Sequence, residues 1–100
     1  MGKLITVFWR DIPSHIIFKT KSGKFKKQMS PRFEKAIDRA AMRAGKGSSE
    51  AYMADWRREI VKIKTDDPQS IVDQEIELLE QMFSDDLLEK TVKSKGIKER

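Results

Sequence analysis

The chain of 100 residues contains no cysteine, which excludes disulfides, thiolate metal sites and a cysteine nucleophile. It contains one histidine, His15, so no histidine cluster exists to hold a metal or relay a proton. The five glycines are scattered and form no phosphate-cradling loop, and there is no HxxxH pair or EF-hand loop. Ser14 beside His15 is a sequence neighbour and not by itself a nucleophile with its base. No apolar run approaches the roughly 20 residues of a membrane span. The start, MGKLITVFWRD, meets Arg10 and Asp11 too soon for a signal peptide. These absences predict a cytoplasmic protein without membrane, metal or cofactor, and with no catalytic residues of its own. A small enzyme or cofactor binder using His15 is the remaining third class.

Charge of one sign is also missing locally. From Asp66 to Glu89 there are nine acidic residues and no basic one. Residues 1–47 carry twelve Lys/Arg against three Asp/Glu, or +9; residues 48–100 carry nine against thirteen, or −4. Either the halves neutralise each other across the fold, or the basic half meets an external polyanion. Hydrophobic residues make up 38% and aromatics 8%, enough for one small core rather than a disordered chain. A domain of this length buries only about two-thirds of its unfolded surface, so a partner or a homodimer would add stability.

Leu4–Arg10 is rich in β-branched and aromatic residues on both faces and predicts a strand covered on part of each. His15–Lys21 and Lys24–Met29 flank Ser22-Gly23, a hairpin signal. With those two residues as the turn, Lys21 faces Lys24 and Thr20 faces Phe25. Lys19, Lys21, Lys24 and Lys26 then share one face, with Phe18 and Phe25 on the other. Like charges opposite one another destabilise a hairpin, although lysine also protects an edge from aggregation.

Ser30–Gly45 carries the marks of one amphipathic helix: Ser30 as cap, Pro31 at the first position, Gly45 as the left-handed stop. Phe33, Ile37, Ala40, Ala41 and Ala44 share a face. Arg32, Lys35, Arg39, Arg43 and Lys46 form a cationic ridge beside it. After the linker Lys46-Gly47-Ser48, a second helix over 49–58 places Tyr52 and Trp56 one turn apart. Residues 59–64 fit helix or strand, the strand being favoured. Asp67-Pro68 starts a third helix whose stripe is Val72, Ile76, Leu79 and Phe83, widened by Ile71, Leu78 and Met82. Ser84-Asp85-Asp86 restarts or kinks it, Leu87, Leu88 and Val92 add an apolar patch, and 93–100 reads as a flexible basic tail.

LITVFWRDIP at 4–13, RFEKAIDRAAMRAG at 32–45, and Tyr52 followed by Trp56-Arg57 resemble the small bacterial virulence factor family. A similar domain occurs in the staphylococcal conserved virulence factor C. The resemblance covers residues 3–58 well and the rest loosely. It carries over no catalytic residues, since the family name records a phenotype and not a reaction. Stand-alone members near folate- and corrinoid-dependent methyl-transfer proteins imply an accessory subunit in one-carbon metabolism.

The expected fold is α+β over residues 1–92: a small antiparallel sheet from 4–10, 15–21 and 24–29, packed by helices near 31–44, 49–58 and 68–83. The expected function is a non-enzymatic interaction module for a protein with an acidic surface, or for a second copy. Its contact residues would be Lys19, Lys21, Lys24, Lys26, Arg32, Lys35, Arg39 and Arg43. Nucleic-acid binding through the same cations is the alternative.

Overall fold

The computed structural model describes residues 2–45 and 49–97. β1 (Gly2–Trp9) is the run with two apolar faces, and it takes an inner place in the sheet. It pairs antiparallel with β2 (Ile12–Thr20), β3 (Gly23–Gln28) extends the sheet beyond β2, and β4 (Trp56–Ile63) pairs antiparallel on the other side of β1. The order is β3-β2-β1-β4. The helices are α1 (Pro31–Arg43), α2 (Ser49–Ala54), α3 (Pro68–Met82) and α4 (Asp85–Lys93), so the fold is α+β as expected.

α1 and α3 lie on the sheet face formed by Leu4, Ile16 and Phe18, and α4 packs on α1. On α1, Phe33, Ile37, Ala40 and Ala41 are buried as their spacing implies, Ala36 joins them, Ala44 is half-buried at the helix end, and Gly45 adopts φ +70° after the last turn. Ser30 departs from its expected role. Its hydroxyl donates to Glu80 of α3 at 3.0 Å and makes no cap bond. Asp67 and Ser84 do cap, accepting from the Ser70 and Leu87 N–H groups at 3.1 Å each. On α3 the four-residue stripe from Val72 to Phe83 is buried, but Leu78 and Met82 are exposed and do not widen it.

The hairpin turn sits one residue earlier than the Ser-Gly signal implies. Lys21-Ser22 make the turn, and Thr20 stands opposite Gly23. Two causes favour this register. The Thr20 hydroxyl accepts from the Ser22 and Gly23 N–H groups at 3.2 and 3.1 Å. Phe18 also meets Phe25 directly on the helix-covered face, an aromatic cross-strand pair that the other register would break.

Two further departures concern tryptophan. The register slips between Val7 and Phe8, because Ser14 is an extra residue in β2. Trp9 and its partner Ile12 join the same core as Leu4, Trp9 against the strict alternation of β1. Trp9 is fully buried and donates from Nε1 to the Tyr52 carbonyl at 2.9 Å. The second helix stops at Ala54, so Trp56 opens a strand rather than closing a helical turn. Its Arg-Arg-Glu-Ile-Val run pairs with β1, whose second edge would otherwise be bare; tertiary pairing overrides local propensity. The linker at 46–48 lies outside the described residues. Of the basic tail, the described part packs back: Gly96 is buried against Trp9, and its carbonyl accepts from the Asp11 N–H at 2.9 Å; 98–100 lie outside the described residues.

Candidate functional site

The cations fall into two systems. On the helical side Lys27, Arg32 and Arg39 are paired. Arg32 donates to Glu80 and to Asp85 at 3.1 Å each, Arg39 makes a two-pronged bond to Glu89 at 2.7 and 2.8 Å, and Lys27 meets Asp73 at 3.0 Å. Each pair joins the basic first half to the acidic second half. The Arg39 guanidinium holds Glu89 below the ordinary carboxylate range, and Lys27 does the same for Asp73. Arg32 and Arg39 of the expected ridge are thus engaged within the fold. Lys35 and Arg43 stand exposed on α1.

On the other sheet face the pairing changes. Alternation turns Lys3, Ile5 and Val7 away from the helices. Register then aligns three rows across all four strands: Lys62, Lys3, Lys19 and Lys24; next Ile60, Ile5, Ile17 and Lys26; next Arg58, Val7, His15 and Gln28. Six of these twelve positions are Lys or Arg, all exposed, and none is Asp or Glu. Ile5 and Val7 are buried although they lie outside the core under the helices. Lys19, Lys24 and Lys26 share the face as expected, while Lys21 sits in the turn. Reading the sequence missed Arg58 and Lys62, whose place is defined only once 56–63 is a strand beside β1, and Lys3, because β1 begins at Gly2 rather than Leu4.

At one end of the face a cleft of about 380 Å³ opens between Val7, His15, Tyr52, Met53, Trp56 and Arg58. Tyr52 and Trp56 meet edge to face at 5.7 Å and form its wall. Burial lowers the His15 pKa, and the nearby cations Lys26 and Arg58 lower it further, so the imidazole is neutral at pH 7. Ser14 Oγ lies 3.1 Å from His15 Nδ1. The charged groups that act on this imidazole are cations, whereas a base would be oriented by a carboxylate. Among the described residues no three His, Cys, Asp or Glu converge as a metal site.

A family model described as virulence factor matches residues 7–92. The chain belongs to the virulence factor family. The matched span runs from Val7, near the end of β1, to Val92 in α4; Lys3 and Ile5 of the open face lie outside it. No curated protein and no solved structure matches the chain. Among the described residues no helix is long and apolar enough to cross a membrane.

Proposed function

We propose that this virulence factor family member is a cytoplasmic, non-enzymatic interaction module, an accessory subunit or adaptor, that docks an acidic protein surface on its open sheet face. The observation that carries this reading is the row of four lysines crossing every strand beside an aliphatic row, with no carboxylate among them. Such a face steers an acidic partner and then offers it apolar contact. A second copy is disfavoured as the face-to-face occupant, because identical basic rows would meet. A nucleic acid is the second reading: no Phe, Tyr or Trp lies within the three rows, and base stacking would fall to His15 and the Tyr52–Trp56 wall at one end of the face.

A photo-crosslinking residue placed at Ile60, on the open face, and at Leu78, on α3, tests this in native cells. The expected result is an acidic protein captured from position 60 and not from 78. That capture is lost when Lys3, Lys19 and Lys62 are changed together to Gln. Capture of RNA from position 60 would overturn the protein reading in favour of the nucleic-acid one.

A further inference from the structure

The two outer edges of the sheet differ. Each carries three cations, Lys24, Lys26 and Lys27 on β3 and Arg57, Arg58 and Lys62 on β4, but α3 packs along β3, and a covered edge resists pairing. β4 is the longer edge, with eight residues against six. The helices pack chiefly on β2 and β3 and leave β4 to its pairing with β1. At its centre Ile60 and Val61 are 56% and 55% exposed, one on each face. Antiparallel pairing with β1 uses the inward N–H and C=O groups of every second residue, and the other residues turn theirs outward. Among the described residues no backbone hydrogen bond from another element reaches this outer edge.

On the open face the edge reads Arg58, Ile60, Lys62: cation, aliphatic, cation at alternate positions. On the covered side Arg57 is committed to Glu59 at 2.5 Å and to Asp11 at 3.2 Å. A second copy pairing antiparallel through β4, with its sheet continuous with the first, would bring open-face residues opposite open-face residues. Arg58 and Lys62 would then stand among their own duplicates, which is destabilising.

Resting on the docking reading above, we propose that β4 accepts an extended segment of the acidic partner as a fifth strand. The segment carries acidic side chains beside Arg58 and Lys62 and an aliphatic one beside Ile60. Its main chain supplies hydrogen bonds to the bare edge, and its alternate side chains supply selectivity. Charge complementarity selects the occupant: acidic residues two positions either side of an aliphatic one.

The probe is the capped peptide Thr-Glu-Thr-Val-Thr-Glu-Thr, which presents the same pattern in either direction. It is titrated into the full ¹⁵N-labelled chain with amide shifts and hydrogen exchange as readouts. The expected result is shifted β4 amides with slowed exchange at every second one. Of two peptides N-methylated at alternate residues, one in each phase, one loses this effect and the other keeps it. Changing Arg58 and Lys62 together to Gln weakens binding by about two- to thirtyfold, the range for two exposed ion pairs. Ile60→Lys abolishes it while leaving the protein's spectrum folded.

The proposal is overturned if the peptide leaves β4 exchange unchanged. Shifts confined to Lys3, Lys19 and Lys24 would in that case remove the fifth strand yet leave open-face docking standing. It is also overturned if a peptide with Lys in place of Glu binds equally. Concentration-dependent protection of β4 without any peptide would make a second copy the occupant and overturn it as well.

Discussion

Glu80 joins the start of α1 to α3, and its removal is the most informative perturbation of the fold. One carboxylate accepts from the Ser30 N–H at 2.8 Å, the Ser30 hydroxyl at 3.0 Å, and the Arg32 guanidinium at 3.1 and 3.3 Å. The side chains of Arg32 and Glu80 are 30% and 26% exposed, so the pair is neither a surface bridge nor a sealed one. Breaking a buried pair costs about 3–5 kcal/mol and an exposed one about 0–1. Glu80→Ala therefore costs about 2–3 kcal/mol. The freed Ser30 hydroxyl can turn to cap α1 and recover up to about 1 kcal/mol, leaving about 2. For a chain of this size that lowers Tm by about 8–16 °C.

The pH dependence has a definite sign. Burial works to raise the Glu80 pKa, but Ser30 and Arg32 outweigh it, so the folded value lies below the ordinary one. The stabilisation is complete above the unfolded pKa, near 4.5. It is lost as pH falls through the lower folded value. Urea denaturation of wild type, Glu80→Ala, Ser30→Ala and the double variant, at neutral and acid pH, measures both. A loss below about 0.5 kcal/mol at neutral pH, or no coupling between the two sites, would refute the reasoning.

Ile37→Ala should cost about 2–5 kcal/mol in the same assay, the range for a buried large-to-small change; below about 1 the α1 face is not core. Gly45→Ala and Gly96→Ala both place a side chain at positive φ, at +70° and +88°. The first meets open space, while the second would put Cβ 2.7 Å from Trp9 Cζ3. Gly45→Ala should thus cost about 1–2 kcal/mol and Gly96→Ala clearly more; equal costs in thermal denaturation would mean that Trp9 yields. His15 should titrate in an NMR series with a midpoint below 6.5, and Arg58→Gln should raise it. With a depressed folded pKa, its stabilisation is complete above pH 6.5 and is lost as pH falls through that midpoint. Replacing Lys19 or Lys24, which stand directly opposite, with Gln should stabilise the chain by about 0.2–1 kcal/mol; a loss instead would show that their stems are needed to cover the sheet face.

Spacing was a sufficient guide wherever one face of one element decided the outcome. The α1 stripe, the Asp67 cap and the Val72–Phe83 stripe follow from short-range chemistry, and each holds. Misreadings arose where a distant strand decided. Trp56 and Tyr52 have helical spacing, but the free edge of β1 draws 56–63 into the sheet. The Ser-Gly turn lost to a Thr20 hydroxyl and a Phe18–Phe25 pair that only the register reveals. The cationic ridge on α1 was legible as a pattern, whereas the acids that neutralise Arg32 and Arg39 lie about fifty residues away in sequence. The open face was half legible, since Lys19, Lys24 and Lys26 belong to one hairpin. Its rows became visible only when β4 supplied Lys62, Ile60 and Arg58.

The lysine row also bears on whether the open face is more than a solvated surface. Edge protection explains Lys24 on β3 and Lys62 on β4, because both strands have an unpaired side. It does not explain Lys3 and Lys19, which sit on the two inner strands where every edge is already paired. Those two face each other, and each also has a lysine on its far side, so the row accumulates repulsion on strands that need no edge protection. On the helical side the same chain places carboxylates against Lys27, Arg32 and Arg39. The acidic helices α3 and α4 both lie on the helical side, where their described ion pairs form. A positive field kept whole across four strands, at some expense in stability, is what a docking surface for an acidic partner requires.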